Sequence, residues 1–288
     1  MAQPLTAIYD ANILCSKWAA YTNSMANHKA KRPCVTIRRP LVSRPMRERK
    51  HYRHAPITQA LIDIQVKGNN LIDLAGLASL PPEIRTGYPV ILPVFTGNAT
   101  ISMTPGDSPK FEAKQIGYSM TGAEDHRYVI QARLDGLTVS RIAPYETWES
   151  LRDEFMRIWR WYEGITKPGS IVRLAVRYTN RLDLPLPFQD FKEYLYTTPE
   201  IGIGLPASLS GFVMQLQIPV PNFPGMIVLN EAMVPPARDG AASIVLDIDV
   251  FQTENIPYNF IEQLGLLHDQ ENAFFEGSIT DKTRELIK

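Results

Sequence analysis

The chain has only two cysteines in 288 residues, Cys15 and Cys34, and both lie near the N-terminus. The rest of the chain therefore has no thiol for a disulfide or a thiolate metal site. No apolar run approaches the roughly 20 residues that a membrane-spanning helix needs. The first residues also lack the continuous apolar core of a signal peptide. These absences predict a cytoplasmic protein without a membrane partner.

Motifs for the common cofactors and catalytic groups are missing as well. The five histidines show no spacing typical of a zinc site, and no glycine-rich phosphate loop occurs. His268 falls on the last predicted long helix, where the pattern indicates a surface or boundary position. The stretch 208–211 lacks the first glycine of a nucleophile elbow. The sequence thus predicts no cofactor, leaves catalytic residues unknown, and does not decide whether the protein is an enzyme.

Charge is unevenly distributed, although the formal net charge is zero. Residues through Arg53 carry 11 Lys/Arg against Asp10 and Glu48, which leaves 19 Lys/Arg against 28 Asp/Glu in the remainder. Prolines and arginines alternate in this first segment, with few residues that could be buried. We expect residues 1–52 to form a basic, disordered tail, which is the part of the chain that would contact nucleic acid. Met46 is an alternative start of translation.

From residue 53 to 288 the pattern predicts a single α+β domain. An amphipathic helix is predicted at 145–165 and a second long helix at 257–275. Two short helices are predicted near 69–80, ended by Pro81 and Pro82, and at 188–195. A hairpin turn is predicted at Asp135–Gly136. Apolar alternation predicts strands at 59–67, 88–95, 112–120, 127–134, 137–142, 171–184, 211–218, 226–233 and 242–251.

The order of these elements recurs, because two β-α-β-β-β-α halves follow each other at about 56–167 and 169–288. The halves share a pattern of elements, not residue identity. Such a unit predicts a curved antiparallel sheet with the helices on one apolar face. The opposite face is then left to polar residues.

Three arginines recur every four residues along the predicted strand 171–184, namely Arg173, Arg177 and Arg181. Alternate residues of a strand point to opposite faces, so all three guanidiniums are expected on one face. Asp247 and Asp249 likewise share one face of strand 242–251. Other polar residues predicted on the same face of the sheet are Asp63, Gln65, Gln131, Arg133, Gln215 and Gln217.

This charged face has two interpretations. Arg133 and the three arginines of strand 171–184 form a candidate anion site, since guanidinium forks suit phosphate or carboxylate. Asp247 and Asp249 are then candidate ligands of Mg²⁺. The other interpretation is a solvated lattice of ion pairs, each contributing about 0.2–1 kcal/mol.

Several segments resemble a sporadically distributed prokaryotic protein family of unknown function. The similar segments are 54–64 (HAPITQALIDI), 131–137 (QARLDGL), 176–182 (VRYTNRL), 246–250 (LDIDV), 272–276 (NAFFE) and 279–286 (ITDKTREL). The resemblance spans residues 52–288 and brings no catalytic residues. The patchy distribution of that family implies mobile elements or defence-like gene cassettes.

Together these observations favour a cytoplasmic binding or regulatory module that acts with a protein partner encoded nearby. The alternative is a Mg²⁺-dependent enzyme or sensor for a nucleotide or another small phosphorylated ligand. In that case the arginines would hold phosphate and the aspartates the metal.

Overall fold

The computed structural model describes residues 52–67, 73–100, 110–123, 127–206, 208–220 and 223–288. These residues belong to one unit, Met46–Lys288. Apart from Tyr52, the predicted basic tail lies outside the described residues, as does Met46.

Nine strands form one open antiparallel sheet in the described part of the chain, in the order β2-β3-β4-β5-β1-β6-β9-β8-β7. The central strands β1 and β6 are each other's neighbours, although about a hundred residues of chain separate them. The strands are β1 (Ile57–Lys67), β2 (Val90–Thr100), β3 (Lys110–Thr121), β4 (Tyr128–Arg133), β5 (Gly136–Ile142), β6 (Ser170–Pro185), β7 (Val213–Pro219), β8 (Gly225–Val234) and β9 (Ala241–Gln252).

Five helices accompany the sheet in the described ranges. They are α1 (Leu74–Ala78), α2 (Pro82–Gly87), α3 (Trp148–Thr166), α4 (Ile261–Ser278) and α5 (Asp281–Ile287). The long helix α3 begins after Thr147, whose side chain accepts a hydrogen bond from the Ser150 amide. It ends where Lys167 adopts a left-handed backbone conformation.

Three local features differ from the predictions or add to them. The short helix α1 ends at Ala78, before the two prolines, and Pro82 begins a second helix, α2, that was not predicted; proline at the first helical position loses no intrahelical hydrogen bond. The helix predicted at 188–195 is only a 3₁₀ turn, Phe191–Glu193. Helix α5 was not predicted, although Thr280 caps it through a hydrogen bond from the Thr283 amide.

Apolar residues from alternate strand positions form the core on one face of the sheet. Ile62 of β1 lies opposite both Val139 of β5 and Val176 of β6, and Val176 lies opposite Val250 of β9. Phe155 of α3 and Leu264 of α4 are fully buried in the same core cluster. Residues of the opposite parity therefore project from the other face, which we call the lattice face.

A glycine in the hairpin between β4 and β5, Gly136, makes room for the side chain of Arg133. Arg133 pairs with Gly136 across the hairpin, so the two-residue loop is Leu134–Asp135 and the predicted turn is one residue too late. A Cβ atom on Gly136 would lie 2.4 Å from the Ile64 carbonyl oxygen and 2.9 Å from Arg133 Nη2. Only glycine therefore leaves room for Arg133 to cross β5 towards β1.

We expect Gly136→Ala to lower the free energy of unfolding by about 1–3 kcal/mol, because the new methyl group overlaps the β1 backbone. Urea denaturation would measure the change. Gly164→Ala on α3 is the matched control, since no atom lies within 4 Å of its Cβ position. That substitution should stabilise by up to about 1 kcal/mol through helix propensity. Equal stability of Gly136→Ala and the native chain would contradict the steric argument.

Candidate functional site

Asp63, on the central strand β1, is the hub of a hydrogen-bonded cluster on the lattice face. Its Oδ1 accepts from Arg133 Nη2 at 3.0 Å and from Thr138 Oγ1 at 2.6 Å. Its Oδ2 accepts from Arg173 Nη1 at 2.8 Å. The second nitrogen of the same guanidinium, Arg173 Nη2, donates to Asp249 Oδ2 at 2.7 Å. One cluster thus connects β4, β5, β1, β6 and β9.

Asp247 is the hub of a second cluster beside the first. Arg177 donates to it through two guanidinium nitrogens, with Nε–Oδ1 at 2.7 Å and Nη2–Oδ2 at 2.6 Å. Thr179 Oγ1 and Asn230 Nδ2 also donate to this carboxylate, at 3.2 and 3.0 Å. Gln215 Nε2 donates to the Asn230 side-chain oxygen at 2.7 Å. The two clusters, which we call the ion-pair lattice, together reach from β4 to β7.

Arg181 lies apart from this lattice, near the end of β6. Its Nε donates to Asp183 Oδ1 at 3.1 Å, and its Nη2 donates to the Pro235 carbonyl at 2.8 Å and to Ser243 Oγ at 3.1 Å. The four candidate arginines therefore do not form one site. Arg133, Arg173 and Arg177 belong to the ion-pair lattice, and Arg181 belongs to a smaller polar cluster.

Strand register explains which side chains meet. Arg177 lies directly opposite Asp249 on β9, yet its guanidinium binds Asp247, which lies opposite Thr179 two residues further along β6. Through this diagonal reach Arg177 binds Asp247, while Arg173 donates to Asp249. Asp249 is 8% exposed, and its Oδ1 has no hydrogen-bond partner in the described part of the chain.

The environment shifts the two connected carboxyls in opposite directions. Burial raises the pKa of Asp63, but the charges of Arg133 and Arg173 and the Thr138 hydrogen bond outweigh burial, so the pKa lies below its ordinary value. Burial also raises the pKa of Asp249, and there the nearby Arg173 and Arg177 compensate only in part. Asp249 is thus the least satisfied member of the lattice.

The lattice brings together three arginines and three aspartates, so its formal charges balance. Each guanidinium fork is occupied by a carboxylate of the chain itself. Asp247 and Asp249, the candidate Mg²⁺ ligands, are both bonded to arginines. Within the described ranges no group of three or more His, Cys, Asp or Glu side chains could hold a metal ion. The anion site and the Mg²⁺ site stay predictions.

Sequence reasoning missed Thr138 and Asn230, the two neutral side chains that complete the hubs. Thr138 lies opposite Asp63 in the β1–β5 register, and Asn230 lies opposite Asp247 in the β8–β9 register. The strand alternation that identified the aspartates also identifies these two, once the neighbouring strands are known. Alternation alone does not predict which strands are neighbours in the sheet, because neighbouring strands can be distant in sequence.

Two glutamates are buried outside the lattice. Glu231 of β8 lies opposite Leu246, on the face that carries the apolar core, and neither of its carboxyl oxygens has a partner among the described residues. Glu271 lies on α4. Burial raises the pKa of each from 4.5 to about 8, and the charge of Asp247 adds to the effect at Glu271.

The predicted surface position of His268 was wrong. The residue is 6% exposed, and its ring stacks on Trp148 of α3 with centroids 4.1 Å apart. Its side chain therefore joins α4 to α3 in the core. The helical pattern around His268 did not reveal this, because the partner lies on another helix.

We expect Arg173→Met to lower the free energy of unfolding by about 3 kcal/mol, because it removes a hydrogen-bond donor to Asp249 and one of the donors to Asp63. Chemical denaturation would measure the loss. Arg152→Met, at an exposed pair with Asp153, is the matched control and should cost at most about 1 kcal/mol. Adding Asp249→Asn to Arg173→Met should recover part of the stability. Equal losses in Arg173→Met and Arg152→Met would show that the lattice is not structural.

The buried glutamates make stability depend on pH. An unfolded glutamate loses its proton near pH ~4.3, whereas folded Glu231 and Glu271 keep theirs up to about pH 8. Their full contribution is present below the unfolded pKa and is lost as pH rises through the folded pKa. We therefore expect Glu231→Met and Glu271→Met each to raise Tm relative to the native chain, and more so at alkaline than at acidic pH.

Thermal unfolding at about pH 5 and about pH 9 would measure this difference. Glu262→Met, exposed on α4, is the control and should change Tm equally at both values. A pH-independent Tm difference for Glu231→Met would refute the assignment of a raised pKa to this group.

No helix in the described ranges is both long and apolar enough to cross a membrane. No model of a known protein family matches the chain, and no curated protein is significantly similar to it. The family resemblance inferred from the sequence therefore stays a prediction.

Proposed function

We propose that this chain is a cytoplasmic binding or regulatory module whose lattice face contacts a protein partner. One observation carries the proposal: Arg133, Arg173 and Arg177 are all bonded to aspartates of the chain. A binding site for free phosphate would keep its guanidinium forks available. A fixed, charge-balanced lattice instead gives a rigid surface that needs little ordering on binding.

Neutral amide side chains on the lattice face support recognition by hydrogen bonding. On β1 and β4 these amides share a face with Asp63 and Arg133. On β7 they share the face that Asn230 occupies on β8. Each amide both donates and accepts, as the peptide groups of a protein partner do. All are at least partly exposed, namely Gln59, Gln65, Gln131, Gln215 and Gln217.

The partner is expected to be encoded close to this chain. This expectation follows from the resemblance to a patchily distributed prokaryotic family, whose distribution implies mobile elements or defence-like gene cassettes. Specific partners in such cassettes would be selected by surface complementarity, because a lattice without net charge provides little long-range attraction.

A second candidate function is a Mg²⁺-dependent enzyme or sensor for a nucleotide or another phosphorylated small molecule. It is favoured by Asp249 Oδ1, a buried carboxyl oxygen beside Asp247 that has no hydrogen-bond partner among the described residues. A hard cation prefers such oxygens. The ligand would have to replace the aspartates as partners of Arg173 and Arg177, so binding would involve rearrangement of the lattice.

We also propose that the domain consists of two tandem halves, at about 56–167 and 169–288, in a curved sheet. The strand order supports this, because the first strand of each half pairs with the last strand before its long helix, β1 with β5 and β6 with β9. Register shifts within the β1–β6 and β2–β3 pairs support curvature, since bulges bend strands.

We expect Gln131→Lys to abolish retention of the partner by the tagged protein in a lysate of its native host. The lysine adds a charge to a neutral part of the lattice face without removing a core contact. Gln270→Lys on α4, which lies off that face, is the matched control and should retain the partner. Both variants should show the Tm of the native chain, measured by thermal unfolding.

Retention by Gln131→Lys, or loss in Gln270→Lys, would show that the lattice face is not the interface. The same proteins should show no rise in Tm with nucleotides and Mg²⁺. A Mg²⁺-dependent rise that Asp249→Asn removes would establish the second candidate function in place of the first.

A further inference from the structure

Strand β2 forms one edge of the sheet and is long for an edge strand. It pairs with β3 on one side only, over Val90–Thr100. Eleven residues at about 3.3 Å each give roughly 36 Å of backbone. Alternate N–H and C=O groups along its other side have no ladder partner in the described part of the chain. Such an edge is a template for another strand.

The side chains of β2 lack the charges that usually protect an edge. No Asp, Glu, Lys or Arg occurs from Val90 to Thr100. Three large apolar side chains are exposed instead, with Val90 at 42%, Leu92 at 59% and Phe95 at 57%. Val90 and Leu92 lie in register with Thr121 and Ser119, at the rim of the lattice face. Val90 and Leu92 thus form a short apolar strip on one face of the strand, whereas Phe95, at the opposite strand parity, adds exposed apolar surface elsewhere along the edge.

The opposite edge is different. Strand β7 is shorter, Val213–Pro219, and a proline ends it. Its exposed apolar residue, Val213, is followed by Gln215 and Gln217 on the same face. Because β7 has seven residues and β2 has eleven, pairing of β2 with β7 of another molecule would leave four residues of β2 uncovered. Such head-to-tail contacts would also build open filaments instead of a closed dimer.

We propose that β2 pairs antiparallel with β2 of a second copy of this chain, forming a twofold dimer with a continuous sheet. In a twofold contact each strand meets its own sequence reversed, so a charge close to the twofold axis would approach its own copy. The uncharged sequence from Val90 to Thr100 avoids this repulsion. Pro93 removes one N–H from the strand, and the other residues keep theirs.

The apolar side chains supply most of the stabilisation. When the two strands run antiparallel, Val90 and Leu92 of one copy pack against the apolar strip of the other copy. The contact involves one strand per molecule and so belongs to the small, weak class of interfaces. Dimerisation is therefore concentration-dependent, and it leaves the centre of the lattice face accessible.

Sedimentation velocity of the full chain over concentrations from about 1 to about 300 µM tests this contact. The native chain is expected to shift from monomer to dimer. Leu92→Lys, which puts a charge into the apolar strip of the edge, should stay monomeric at the highest concentration. Val213→Lys on β7 is the matched control, because Val213 is 63% exposed at the other edge, and it should dimerise like the native chain.

Hydrogen exchange of the segment Val90–Gly97 gives a second readout. Its amides should become more protected as the native chain is concentrated, and should not in Leu92→Lys. Unchanged thermal unfolding of Leu92→Lys shows that the fold is intact. A native chain that remains monomeric throughout, or a dimer that Val213→Lys disrupts and Leu92→Lys does not, would overturn the proposal.

Discussion

Arg173 joins the two halves of the lattice face, because its guanidinium reaches Asp63 on β1 with one nitrogen and Asp249 on β9 with another. The arginine lies on β6, between those two strands. β1 and β6 are distant in sequence, so backbone pairing at the centre of the sheet closes a long loop. The guanidinium of Arg173, which bonds to both neighbouring strands, also fixes the register of that pairing. A slip of one residue would turn Arg173 towards the apolar core.

Charged side chains have different surroundings on the two faces of the sheet. On the lattice face, arginines and aspartates neutralise each other, and Gly136 gives Arg133 the space to participate. On the core face, Glu231 and Glu271 are buried with no compensating cation from the described residues, and their pKa values are raised to about 8. Burying an unpaired acid costs stability that a neutral residue would keep. Stability is therefore concentrated in the lattice and the apolar core, while these two acids make it sensitive to pH.

This distribution of charge bears on function. A surface whose ion pairs are fixed before binding recognises a partner through shape and hydrogen bonds more than through net attraction. The central lattice and the β2 edge are separate surfaces, so a partner on the face and a second copy at the edge could bind together. The β2 edge is apolar and uncharged, in contrast to the amide-rich centre. Two surfaces of different chemistry suit a module that assembles with more than one protein chain.

Sequence patterns alone predicted the strands, the two long helices and the shared face of the arginines of β6 and the aspartates of β9, because period-2 and period-3.6 patterns depend only on local backbone geometry. They placed Arg177 and Asp247 on polar faces but did not predict their contact, which depends on β6 and β9 being neighbours. The pairing of β6 with β9, the separation of Arg181 from the lattice and the burial of His268 and Glu231 became apparent from the folded chain. Each of these depends on residues far apart in the chain, and no local pattern encodes which distant strand or helix will pack alongside.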